Sequence, residues 1–278
     1  MSYPDLDGER GVAVSADGTS IGFVTAGSGP ALLLVHGGMS SSRAWGPIWP
    51  QLTECFRVTA MDRRGRVTSG DGPRYQIEME FDDIAAVAAA IVEESAPAVD
   101  VVAHSYGATC AVGAAAGAGA GAGRRAIGSL LLYEPPGPAT VPPAWVEAIT
   151  QYVDDGQAGR AMMTFLTQII DLTPEQLDAM RRSDAEPDWE QIVLKTMPRE
   201  AAALLRFDPA TLGGAVQVPT RLLLGSQSPQ WARQISDDLL RSVGGSDLRT
   251  LPEQGHLALT DAPELIVREI LEYLPRSG

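Results

Sequence analysis

Three short stretches carry side chains whose types and order suit nucleophilic attack on a carbonyl carbon. Ser105 stands in Ala103-His104-Ser105-Tyr106-Gly107, between an apolar run and a segment of small residues. A serine nucleophile on a sharp strand-to-helix turn needs small residues two positions to either side, because strand and helix backbones crowd there, and Ala103 and Gly107 meet that need. Such a turn presents the hydroxyl at the C-terminal end of the strand, near a helix N-terminus whose amides favour developing negative charge. His36-Gly37-Gly38 closes an earlier apolar run. A tetrahedral oxyanion needs a second N–H beside the amide of Tyr106, and glycine lets the backbone come close, so Gly38 is the expected donor. Met39, next in the chain, is placed with the substrate. His256, in Gln254-Gly255-His256, follows the last apolar run, and C-terminal strand ends share one edge of a parallel sheet, which sets an imidazole beside Ser105 as general base. The other two histidines have plainer roles: His36 bonds to loop backbone, and His104 points away from the serine.

The elements that must position these residues follow from hydrophobic periodicity. Gly11–Val14 and Ile21–Val24 flank Asp17-Gly18, a hairpin signal. Ala31–Val35, Phe56–Met61, Val99–Ala103 and Ile127–Tyr133 read as buried strands, and Phe81–Glu94 has helical apolar spacing. Residues 111–123 (AVGAAAGAGAGAG) directly follow a strand and read as a small-residue helix against the sheet, although each glycine costs about 1 kcal/mol relative to alanine. Strands alternating with helices mean a parallel sheet with right-handed crossovers. The rhythm stops at Glu134. From Pro135 to Gly214 the chain is proline-marked and helical, with a capping box at Thr173-Pro174-Glu175-Gln176. It resumes with Val218–Leu224, Trp231–Val243, Leu248–Leu251 and Ala262–Tyr273. The expected organisation is an α/β core of residues 1–134 and 215–278, with 135–214 inserted as a helical cap.

Bulk properties narrow the partners. The formal charge is −14, from 35 acidic and 21 basic side chains. That surface repels nucleic acid and anionic lipid, so neither is an expected partner. No apolar stretch of signal-peptide type occupies residues 1–10, and no run is long enough to span a bilayer, so the cytoplasm is the expected location, with no membrane contact. Cys55 and Cys110 have no metal-like spacing, and no metal is expected; two reduced thiols suit that compartment better than one disulfide. A homodimer is compatible with the sequence.

Strand-His-Gly-Gly, Ala-His-Ser-Tyr-Gly and Gly-His, in that order, resemble the α/β-hydrolase superfamily over residues 10–275. Asp62-Arg63-Arg64-Gly65-Arg66 resembles that superfamily's loop after its fourth strand, with Val67 where glycine is usual. The resemblance implies an eight-stranded, mostly parallel sheet flanked by helices, a helical cap and hydrolysis without cofactors. It also implies a carboxylate to orient the imidazole. In most relatives that acid follows the strand corresponding to Val218–Leu224, where this chain reads Gly225-Ser226-Gln227-Ser228-Pro229-Gln230-Trp231 without one. Asp237 and Asp238 lie about 10 Å further along the next helix. A minority of the superfamily takes its acid from the end of the preceding strand, which is Glu134 here. Glu253, or no acid at all, remains open, as does a pairing of Glu134 with Arg63 or Arg64.

A serine nucleophile argues against the epoxide and haloalkane chemistry that aspartate performs in this fold. The expected reaction is cleavage of an ester, thioester or other activated carbonyl through an acyl-enzyme. Lyase, cyclase or C–C bond chemistry on the same fold, or a ligand receptor without turnover, are the alternatives, with Gln227 the hint for the former. Met162, Phe165, Leu166, Ile169 and Ile170 form one helical stripe in the cap, and Trp45, Trp49 and Trp145 add aromatic surface. Trp45, Trp145 and Phe165 are therefore expected to wall a site for a small to medium apolar molecule.

Overall fold

The runs without polar alternation form the middle of the sheet, where both faces are covered. A computed structural model describes residues 5–92, 98–120, 126–182 and 189–274. Its strands are β1 (Glu9–Val14), β2 (Ser20–Ala26), β3 (Ala31–Val35), β4 (Arg57–Met61), β5 (Val99–His104), β6 (Ile127–Tyr133), β7 (Thr220–Gly225) and β8 (Asp247–Leu251). They form one eight-stranded sheet in the order β1-β2-β4-β3-β5-β6-β7-β8. β2 is antiparallel to both its neighbours, β1 and β4, and every other pairing is parallel. The β1–β2 hairpin turns at Gly18, whose φ of 86° only glycine adopts without strain.

Side chains alternate between two cores, as the two-residue period of a strand requires. Leu33 and Val35 of β3 join the core built with α2 (Ile77–Ile91), α3 (Tyr106–Ala116) and α8 (Gln230–Ser242). Leu32 and Leu34 join the opposite core with α1 (Trp49–Thr53), α9 (Ala258–Asp261) and α10 (Pro263–Tyr273).

α3 is the expected small-residue helix, but it ends at Ala116 rather than continuing to 123. Gly117 takes the left-handed conformation at φ 70°, and the Ala118 N–H returns to Gly113 O at 3.0 Å, which closes the helix. Residues 121–125 of that run lie outside the described residues. Small side chains here serve close packing: a Cβ on Gly113 would stand 2.4 Å from the Phe81 ring of α2.

Between β6 and β7 the chain forms α4 (Pro143–Asp154), α5 (Ala158–Gln168), α6 (Pro174–Arg182) and α7 (Trp189–Leu204), with no strand among the described residues of this segment. The capping box of α6 is reciprocal, Gln176 Oε1 accepting from Thr173 N at 2.9 Å and Thr173 Oγ1 from Gln176 N at 3.3 Å. α7 packs against α4 and α5, and the three helices also pack on one another's apolar side chains. Among the described residues, no helix is long and apolar enough to cross a membrane.

Candidate active site

β5 ends and α3 begins at Ser105, which adopts φ 53° and ψ −128°. A non-glycine residue there is strained, and the surroundings must hold it. The Ser105 N–H donates to Tyr133 O at 2.8 Å, and Ser105 O accepts from Ala108 N at 2.8 Å. Crowding explains the glycines nearby. A Cβ on Gly107 would stand 2.3 Å from His36 O, and one on Gly37 would stand 2.9 Å from Ser105 Cβ. Met39, at φ 54°, is a second strained residue on the facing loop.

His36 is fully engaged below that loop. Its Nε2 accepts from Arg63 N at 3.0 Å, and its Nδ1 donates to Gly37 O at 2.8 Å. Burial, then the positive charges of Arg63 and Arg66, hold its pKa well below the ordinary imidazole value, so it stays neutral in that tautomer.

Glu134 follows β6 directly, at φ 47°, with its side chain fully buried. Its Oε2 lies 2.6 Å from His256 Nδ1. Its Oε1 accepts from Gly225 N at 2.7 Å and from the Ser228 hydroxyl. Arg63 and Arg64 are occupied elsewhere: Arg63 pairs with Glu80 and Glu200, and Arg64 with Asp83 and Asp17. Glu253 is exposed, and Asp238 pairs with Arg241 on the surface of α8.

The loop carrying His256 is anchored at several points. Tyr133 donates its hydroxyl to Gly255 O and accepts from Ala258 N at 3.2 Å, while Gln227 N donates to Gln254 O at 2.8 Å. His104 donates from Nε2 to His256 O at 3.1 Å and stacks on Tyr133. Desolvation, then the charge of His256, keeps the His104 pKa well below the usual imidazole range, so this ring is a neutral donor. His104 thus braces the loop of His256, a contact that its place beside the serine in sequence does not reveal.

Ser105, His256, Gly38, Tyr106 and Met39 line one cavity. Trp145, Phe165, Ile169 and Ile170, from the segment between β6 and β7, line it too. Trp45 does not. It ends a 3-10 turn, Ser42–Trp45, and is buried with Leu34, Val58 and Trp49 in the core on the other face of the sheet. The turn that follows Met39 carries the chain away from the cavity, and a tryptophan's position in the sequence does not reveal to which face a loop returns it.

Trp231 and Glu200 are among the lining residues that the sequence does not single out. Trp231 donates from Nε1 to Ile169 O at 2.8 Å, tying core to cap, and its edge faces the His256 ring. Glu200, on α7, belongs to a buried charge network. Arg63 makes a two-pronged contact with Glu80 at 2.8 and 2.7 Å and reaches Glu200 Oε1 at 2.8 Å, and Arg66 reaches the same oxygen at 2.6 Å. Burial opposes the charge on Arg63, yet Glu200 and Glu80 raise its pKa well above the ordinary value. Burial alone would raise the Glu80 carboxyl, but the adjacent Arg63 guanidinium holds it below its usual range. Tyr75 links Glu80, at 2.9 Å, to the Tyr106 hydroxyl, at 2.7 Å, and Arg63 lies 4.5 Å over the Tyr106 ring, so the network fixes the residue after the serine. Among the described residues no cluster suits a metal ion. Cys55 and Cys110 are unpaired thiols.

Sequence and structure comparisons extend the geometry. A crystal structure of an alpha/beta hydrolase from Sphaerobacter thermophilus is similar at 30% identity and a TM-score of 0.78, covering 94% of this chain and 99% of that one. A pyrrolizixenacetamide deacetylase of Xenorhabdus hominickii is 24% identical over 94% of this chain and 97% of its own length. An N-formylmaleamate deformylase of Pseudomonas putida is 33% identical over 161 residues, 55% of this chain and 57% of that protein. The profile of the alpha/beta hydrolase family matches residues 32–269, and the chain belongs to that family as a hydrolase of the α/β-hydrolase type.

Proposed function

We propose that this hydrolase cleaves an ester, thioester or similarly activated carbonyl of a small to medium apolar compound through an acyl-enzyme on Ser105. The supporting observation is the 2.6 Å contact between Glu134 Oε2 and His256 Nδ1, in a cavity that the strained Ser105 also lines. With Nδ1 held by the carboxylate, Nε2 of His256 is the nitrogen for proton exchange. Ser105 Oγ adds to the carbonyl carbon as its proton passes to His256 Nε2. The oxyanion accepts hydrogen bonds from the Gly38 and Tyr106 amides. Collapse breaks the bond to the leaving group, which takes the proton from His256. Water then repeats the sequence on the acyl-enzyme and frees the acid. Among the described residues the lining contains no arginine or lysine, which disfavours an anionic substrate.

A second reading, cleavage of an N-acyl amide, draws on the names of two relatives, a deacetylase and a deformylase. The same steps serve it, with an amine as leaving group.

A fluorophosphonate probe should label Ser105, and p-nitrophenyl acetate should be hydrolysed by the protein and not by Ser105→Ala. A protein that takes no label and turns over no ester would be a receptor rather than a serine hydrolase. Parallel assays of phenyl acetate and acetanilide separate the ester from the amide reading.

A further inference from the structure

The cavity wall carries one carboxylate that this chemistry leaves unused. α7 turns an apolar face inward at Val193, Met197, Ala201 and Leu204, and Glu200 interrupts it. The Glu200 side chain is only 5% exposed, and its two oxygens are differently employed. Oε1 accepts from both Arg63 and Arg66. Oε2 is buried without a hydrogen-bond partner among the described residues. It is turned to the loop expected to hold the oxyanion, since a Cβ on Gly38 would stand 3.4 Å from it. Glu200 and Gly38 both line the cavity. A buried acceptor without a donor is costly, and a ligand in the cavity, or the water it displaces, can supply one.

Charge balance narrows the ligand. Arg63 and Arg66 face Glu80 and Glu200, two positive against two negative groups. An ammonium at Oε2 would add an uncompensated charge to a buried, balanced set, whereas a neutral N–H or O–H would not. Because Oε2 stands against Gly38, the donor must lie within a few bonds of the attacked carbonyl.

We propose that Glu200 sets substrate specificity, its Oε2 accepting a hydrogen bond from a neutral N–H or O–H that an otherwise apolar substrate carries near its reacting carbonyl. The proposal deepens, and rests on, the reading of the cavity as the substrate site of Ser105. It goes beyond tethering the cap, because a tether through Oε1 alone would not distinguish ligands by their donors.

Two matched pairs test it. In the first, kcat/KM for p-nitrophenyl 3-hydroxybutyrate is compared with that for p-nitrophenyl butyrate, each divided by the ester's rate of alkaline hydrolysis. In the second, N-benzylacetamide and its N-methyl analogue, which lacks the donor, are titrated into Ser105→Ala with tryptophan fluorescence as the readout. The donor-bearing member should be favoured by about tenfold or more in at least one pair. Glu200→Gln keeps an oxygen for the two arginines and turns an NH2 group to the cavity, so the preference should fall below about threefold or invert. A protein indifferent to the donor in both pairs overturns the proposal without recourse to any variant. So does a Glu200→Gln protein that keeps the preference and melts cooperatively. Indifference in a protein whose Ser105 still takes the fluorophosphonate rejects Glu200 alone. An unlabelled, inactive protein rejects the hydrolase reading, and the amide pair then still decides on Glu200.

Discussion

Two neighbouring loops at the C-terminal edge of the sheet divide one task. The loop after β6 supplies the carboxylate, Glu134, at its first residue. The loop after β7, the more usual place for an acid, has no carboxylate between Gly225 and Trp231, yet it grips Glu134 through the Gly225 amide and the Ser228 hydroxyl. The imidazole needs negative charge at a point in space rather than in a particular loop. Adjacent strands lie about 4.8 Å apart, so a glutamate on one strand end reaches a point that a residue after the next would also reach. In the proposed mechanism one loop brings the carboxylate and its neighbour aims it.

That division is testable by breaking each half. Glu134→Gln should lower kcat by about 10³–10⁴ while the fold survives, by analogy with other triads; activity within a few-fold of the parent protein would make the 2.6 Å contact incidental. The aiming loop should cost less. In Gly225→Ala the new Cβ would stand 2.3 Å from Gln254 O and 2.5 Å from Ser228 Oγ, forcing both away. A displacement on that scale should cost about 10² in kcat, read against p-nitrophenyl acetate. Ser228→Ala removes one of two donors to Oε1, for which about tenfold is expected, the weight of one charge-assisted hydrogen bond. An unchanged rate would leave the amide as the sole aiming contact. The smallest effect should come from returning a carboxylate to the second loop. Gln227 is exposed, so Gln227→Glu added to Glu134→Gln should stay within about threefold of Glu134→Gln. A recovery of 10² or more would show that the loop after β7 can still carry the charge itself.

Much of this arrangement is legible in the residues, and the parts that are not share a cause. The sheet is readable because Leu32–Leu34 and Val101–Ala103 are apolar on both faces, and Ser105 because Ala103 and Gly107 answer a local steric demand. Glu134 is legible by its place at a strand end. Trp45, Trp231 and Glu200 are not, because their settings depend on how separate loops and helices return to one another. Glu200 does leave a trace, a charge at position 200 between Met197 and Leu204 on an otherwise apolar helical face. A charge so placed marks a buried partner, but only the fold identifies it as the pair from the loop after β4. The end of α3 shows the limit of composition: alanine and glycine dominate both sides of Gly117, and a single left-handed residue decides where the helix stops.

The bond from Glu200 to Arg63 and Arg66 also bears on how a molecule enters. Lifting α7 away would take from Arg66 its carboxylate and from Arg63 one of two, and would break the surface clasp of Arg199 on Asp71 as well. That corner of the roof is riveted down. α4 and α5 are fastened by lighter means, through inward side chains that are mostly hydrocarbon.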